Sequence, residues 1–234
     1  MILAINTSTP QFGLALLDEE GTILSEYFMF QEKGHFGNLL PALHFMLSSL
    51  NMDIQKIRAI VAATGPGSFT GLRVGLSTAK GLCHALEIPV IGVSSLKALA
   101  SQLSQSDLPI VPILYSRKNE FFTACFIRDH GTELVRTMKD QALKIDDLAS
   151  VFTEPCYFIG TDFPNQSKVL KRNLGPVAHL ANAVNWNLRP SSVGALGLIR
   201  YHSRKFDDPL ALEPVYLRPP DIRPNPFPAT AQNP

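Results

Sequence analysis

Cysteine is scarce: Cys83, Cys125 and Cys156 lie far apart and form neither a CxxC pair nor an even disulfide framework. That excludes a disulfide-stapled secreted fold, and the three read as buried thiols of a reducing cytoplasm. Charge of one sign is lacking too. Lys and Arg number 21 against 20 Asp and Glu, a net charge of +1, so no long-range field draws a polyanion to this chain on its own. No stretch approaches the roughly 18 consecutive apolar residues of a membrane span. The opening MILAINTSTP has no basic segment ahead of an apolar one, so it reads as a core strand and not as a signal peptide. Walker A, HExxH and GxSxG patterns are all missing. The six histidines, His35, His44, His84, His130, His179 and His202, include no pair at three- or four-residue spacing, so no metal site is expected. The expected place is the cytoplasm, with no membrane partner.

What is present is an ordinary globular composition: 45% hydrophobic and 18% charged residues over 234 positions, enough for one large domain or two small ones. Residues 2–5 (ILAI), 12–17 (FGLALL) and 22–28 read as a three-strand meander. Residues 39–50 have helical periodicity, with Leu39, Leu43, Met46, Leu47 and Leu50 on one face and Pro41 in the first turn. A strand at 59–63, a helix through 70–86, a strand at 90–93 and a helix from Ser94 follow in alternating α/β order. The order then restarts. Shifting the sequence by 110 positions lays Asn6 on Ser116, Phe12 on Phe122, Gly21-Thr22 on Gly131-Thr132 and Leu24 on Leu134, which predicts a duplicated meander. The second half continues with a strand at 157–160 and helices at 164–172 and 191–204, the last with Ser191 or Ser192 as candidate N-cap. The expected organisation is an N-terminal lobe at 1–105, a C-terminal lobe at 106–208 and a tail at 209–234. That tail holds eight of the eighteen prolines and is expected to be partly extended or disordered.

The segment GPGSFTGLRVG at 65–75 carries the most information. Gly65, Pro66 and Gly67 suit a tight turn after a buried strand, and Ser68 or Thr70 can cap the helix that follows Phe69. Free N–H groups at that helix start can serve a turn or meet an anion; both readings stand. Gly71, Gly75, Thr78 and Ala79 recur at spacings of three and four, a small-residue face for close helix approach, on the chain's own sheet or on a partner.

GPGSFTGLRVG at this distance from an N-terminal INTST hairpin resembles the TsaB (YeaZ) family. GHFGNLLP at 34–41, with His35, IPVIGVSSLKALA at 88–100 and PVYLRPP at 214–220 are similar to further family segments. The resemblance is dense over the first hundred residues and loose beyond. It implies a two-lobed α/β fold of the actin, sugar-kinase and Hsp70 type, built from duplicated ribonuclease H-like lobes. In active members of that fold the first turn of each lobe approaches nucleotide phosphates, and family members usually carry aspartate there. Here those positions hold Asn6 and Ser116, and neither an amide nor a hydroxyl supplies the anionic oxygen that Mg²⁺ prefers.

The resemblance therefore implies no catalytic residue and no cofactor. It implies an accessory subunit for making N6-threonylcarbamoyladenosine in tRNAs that read codons starting with adenine. The expected partners are a TsaD-like transferase and a TsaE-like ATPase, with tRNA met only through the complex; a homodimer is an option when the chain is alone, and the balance between the two pairings stays open. Family dimers are built from the 39–50 and 70–86 helices, so Leu39, Leu43, Leu47, Gly71, Arg73, Gly75, Thr78 and Ala79 are the expected interface. An autonomous small-molecule kinase or ATPase is the competing reading, separable by calorimetry with ATP and Mg²⁺.

Overall fold

A computed structural model describes residues 1–30, 36–103, 106–129 and 133–219; His35, the Gly131-Thr132 turn and the residues beyond Pro219 lie outside them. The first meander forms as expected: β1 (Ile2–Asn6), β2 (Gln11–Leu17) and β3 (Ile23–Phe30). Then come α1 (Leu39–Ser49), β4 (Ala59–Gly65), α2 (Phe69–Leu86), β5 (Val90–Ser94) and α3 (Ser95–Ser101). The second half runs β6 (Ile110–Arg117), β7 (Glu120–Asp129), β8 (Glu133–Lys144), α4 (Leu148–Val151), β9 (Cys156–Ile159), α5 (Phe163–Leu174), β10 (Ala178–Leu180) and α6 (Pro190–His202).

The two sheets repeat one topology. Their orders are β3-β2-β1-β4-β5 and β8-β7-β6-β9-β10, each an antiparallel meander followed by two parallel strands. This is the two-lobed actin and sugar-kinase type of fold, with a ribonuclease H-like sheet in each lobe. The two halves differ in detail: the second first-turn is tighter, since Arg117 already pairs with Glu120 whereas Asn6 pairs with Gly13.

Both faces of the first sheet are covered, and the two-residue period of a strand assigns each side chain. Leu3, Ile5, Ile60 and Ala62 point to one face, where α1 and α2 add Leu43, Met46, Leu76 and Ala79. Ile2, Ala4, Ala59 and Val61 point to the other, in a core continuous with the second sheet. The helices on that side come from unexpected places in the chain. α6, from the second half, lies on β1 and β2, whereas α3, from the first, packs on β6 of the second sheet. Close approach of α6 depends on its glycines: a Cβ at Gly194 would meet Leu17 Cδ1 at 2.5 Å, and one at Gly197 would meet Val61 Cγ2 at 2.3 Å.

The start of α6 corrects the expected cap. Ser191 and Ser192 lie inside the first turn, the N-cap position is Arg189, and no side chain of that residue caps the helix. The Ser191 N–H is met at 2.9 Å by Oε1 of Glu26 on β3, whose other oxygen takes Arg189 Nε at 3.1 Å. Burial works to raise the Glu26 carboxyl pKa, but its hydrogen bonds from Arg189 and Ser191 and the guanidinium charge outweigh that, leaving it below the ordinary 4.5. A carboxyl with a lowered folded pKa contributes stability that is present above its unfolded value and lost as pH falls through the folded one. Glu26→Gln should therefore lower the melting temperature at pH 7, and its gap to wild type should narrow as pH falls below the ordinary carboxyl value and through the lowered one. Thermal melts of both chains across that range check this.

The cysteines sit nearly as expected. Cys83 and Cys156 are buried, with thiols pushed up by burial to about 12 and about 11, whereas Cys125 is only half-buried. No helix among the described residues is long and apolar enough to cross a membrane.

Candidate functional site

The β1–β2 turn and the 65–75 segment are built against each other. Ser68 N donates to Ser8 O at 2.7 Å, and a Cβ on Gly67 would stand 2.1 Å from that same Ser8 O. Backbone meets backbone there, which only glycine permits. Ser68 caps α2 by accepting from Gly71 N at 3.2 Å. Gly65 has φ of +112° and precedes a cis bond to Pro66. Beside it the closing segment arrives: Val215 N donates to Thr64 O at 2.8 Å, Tyr216 stacks on Phe69 at 5.0 Å, and Arg73 lies 3.9 Å over the Phe69 ring while donating to Tyr216 Oη. The 65–75 motif and the 214–219 segment are thus one packed unit. With Tyr115 and Ser116 they enclose a cavity of about 350 Å³.

Asn6 does not face a cleft. It is fully buried, its Oδ1 accepts from Ser8 N and Ser8 Oγ at 3.0 and 2.7 Å, and its Nδ2 donates to Leu188 O at 2.9 Å. The amide closes the turn on itself and ties it to the second lobe, where Gln102 Nε2 holds Asn185 O and Asn187 O in the same loop. Aspartate in its place would set a carboxylate against the Leu188 carbonyl. We expect Asn6→Asp to cost about 1–3 kcal/mol at pH 7, and burial to raise the new carboxyl's pKa, so the loss shrinks on acidification. Thermal melts at pH 7 and pH 5 test both.

The Ser116 hydroxyl donates to Glu120 Oε1 at 2.7 Å. Sequence reasoning missed Glu120, an acid at the second first-turn after all. The Ser116 hydrogen bond is the main lowering influence on its carboxyl; burial opposes it, and Arg117 and Arg218 add theirs. Its charge is already met by Arg117, 3.1 Å away. Asn6→Asp with Ser116→Asp is expected not to create an efficient ATPase in a turnover assay, because the new acid at position 6 would be buried against Leu188 O and the one at 116 would stand beside the Glu120 carboxylate. Among the described residues no group of three or more His, Cys, Asp and Glu could hold a metal ion.

The expected interface residues separate into two sets. Leu39, Leu43 and Leu47 are 3%, 3% and 6% exposed and cover their own sheet. Gly71 and Ala79 are buried likewise, and a Cβ on Gly75 would stand 2.1 Å from Thr7 Oγ1. In the free chain the small-residue face of α2 is therefore turned inward, closely packed on the β1–β2 turn. Arg73 is exposed and Thr78 half-buried. The outward face carries Thr70, Arg73, Ser77 and Gly81, where a Cβ at Gly81 meets nothing within 4 Å. On α1 the outward face carries the large apolar side chains Leu40 and Phe45, 55% and 63% exposed, beside exposed Pro41, His44, Ser48 and Ser49, with a hollow of about 320 Å³ between Phe45, Pro41 and Tyr27.

A family model described as TsaD, tRNA N6-adenosine threonylcarbamoyltransferase, matches residues 22–172. The tRNA threonylcarbamoyladenosine biosynthesis protein TsaB of Bacillus subtilis is 34% identical over 220 residues, 93% of each chain. The protein of the same name from Haemophilus influenzae is 27% identical over 230 residues, again 93% of each. Among solved structures, a Pseudomonas aeruginosa protein described as similar to peptidase YEAZ has a TM-score of 0.76 at 24% identity, covering 93% of this chain and 99% of that one. YeaZ from Pseudomonas aeruginosa has a TM-score of 0.72, also at 24% identity, covering 92% and 99%. At that identity the structures speak for the two-lobed fold alone.

Proposed function

Because this chain belongs to the TsaB (YeaZ) family, we propose that it acts in tRNA threonylcarbamoyladenosine biosynthesis as a non-catalytic subunit that binds and activates a TsaD-like transferase. The observation that carries this reading is the 34% identity to a TsaB protein across 93% of both chains. The internal use of the two first-turns supports it: Asn6 and Glu120 are engaged in holding the lobes and the second hairpin. The docking face we propose is the outer side of α1 and α2, with Leu40 and Phe45 as apolar anchors and Thr70, Arg73, Ser77 and Gly81 beside them. Exposed large apolar side chains next to a hollow suit a partner's helix. Alone, the chain pairs with itself through the same face; in the complex it meets tRNA only through the transferase, with a TsaE-like ATPase joining the assembly in the cytoplasm.

The test is co-purification with a TsaD-like protein followed by a reconstituted transfer assay with and without this chain. The expected result is a stable complex and transfer that depends on both proteins. Transfer at full rate without this chain, or by this chain alone, would overturn the reading.

A further inference from the structure

The described chain ends at Pro219 on the wall of the cavity behind the 65–69 loop, and Tyr115 separates that cavity from a larger one because it lines both. The C-terminal segment reaches this point by a defined route. Val215 is bonded to Thr64 at the end of β4, Tyr216 is held by Phe69 and Arg73, and Arg218 lies near enough to Glu120 to lower its carboxyl pKa. The backbone is thus passing from the first lobe to the second as it arrives at Pro219.

The larger cavity, about 740 Å³, lies between the lobes and is walled by Phe30, Tyr115, Phe163 and Trp186, with Asp162 at the start of α5. Phe30 is 60% exposed on its rim. Gln11, only 9% exposed, donates Nε2 to Thr161 O, while its Oε1 has no hydrogen-bond partner among the described residues. Such a cleft suits an occupant with proline or aromatic rings, an amide donor and a cation.

Residues 221–228 read DIRPNPFP. They contain all three: Phe227 among prolines, Asn225 and Arg223. Proline-rich segments favour the extended polyproline helix and dock in aromatic-lined grooves. From Pro219 to Phe227 such a helix spans about 25 Å at roughly 3.1 Å per residue, and the two cavities share a wall. The geometry points to the chain's own segment 223–228 as the occupant of the interlobe cleft, with Phe227 against the aromatic wall and Arg223 beside Asp162. Tethering favours this occupant over a free molecule, since a short linker holds a segment at an effective concentration in the millimolar range.

Cysteine trapping in the full chain tests it. Ala183, exposed on the cleft rim, is changed to Cys together with Phe227→Cys, and mild oxidation is followed by non-reducing gels and mass spectrometry. The control pairs Phe227→Cys with Lys56→Cys, which is exposed just ahead of β4, at the end opposite the 65–69 loop. We expect an intrachain 183–227 crosslink at least about fivefold faster than the control, slowed severalfold by Arg223→Glu. Equal rates for the two pairs, crosslinks only between molecules, or no response to the charge reversal would overturn the assignment.

Discussion

Gly67→Ala is expected to lower the melting temperature by about 8–16 °C, from a loss of about 4 kcal/mol at roughly 2–4 °C per kcal/mol for a domain of this size. The added Cβ would stand 2.1 Å from Ser8 O and 2.9 Å from Ser8 C. Both are backbone atoms of a buried turn, so neither can rotate away. Gly75→Leu should act in the same direction: its first side-chain carbon meets Thr7 Oγ1 at 2.1 Å, and the branched remainder must enter a core where Leu72 and Leu76 are already buried. Gly81→Ala provides the contrast. That glycine is exposed with open space around it, so the substitution removes only the helix penalty and should stabilise by about 0.5–1 kcal/mol. Circular dichroism melts of the three variants decide the matter. A native melt for Gly75→Leu with lost partner binding would mean that Gly75 faces outward.

Leu40→Asp combined with Phe45→Asp should weaken association with a TsaD-like partner by about 100-fold or more while leaving the melt within about 1 kcal/mol of wild type. Each side chain is more than half exposed in the free chain, so its replacement removes little from the fold. Burying either at an interface is worth about 1.5–3 kcal/mol, and the new carboxylates would have to be desolvated as well. A hundredfold change in affinity corresponds to about 2.7 kcal/mol. Calorimetric titration of partner into variant, beside the melt, separates the outcomes, and unchanged affinity would remove α1 from the docking face.

Much of this architecture is legible in the sequence, because period and punctuation carry it. The meander appears in the short apolar runs and polar turns between Ile2 and Phe28, and the repeat of strand order in the 110-residue offset. What spacing cannot tell is which way a shared face points. Gly71, Gly75 and Ala79 do lie together on α2, but whether that face meets a partner or the Thr7 turn depends on the rotation of the helix about its axis, which is set by Leu72, Leu76 and Cys83 packing on the sheet. The α6 cap was misread for a related reason: its acceptor, Glu26, is 165 residues away in sequence, beyond any local pattern. β10 escaped notice because three residues are too few to show a period. Glu120 was missed because the second hairpin is tighter than the first, which moves its acid off the position that the offset singles out.

The placement of α6 on the first sheet also sets a timetable for synthesis. Every strand of that sheet is made by Ser94, yet the helix that covers Ala4, Leu17 and Val61 is complete only at His202. At about 5–20 residues per second, roughly 5–20 s of translation pass with that apolar face bare. The N-terminal half therefore emerges from the ribosome as an open-faced sheet, and slowing elongation between residues 95 and 200 should raise its capture by chaperones and its aggregation, without any change to the finished protein.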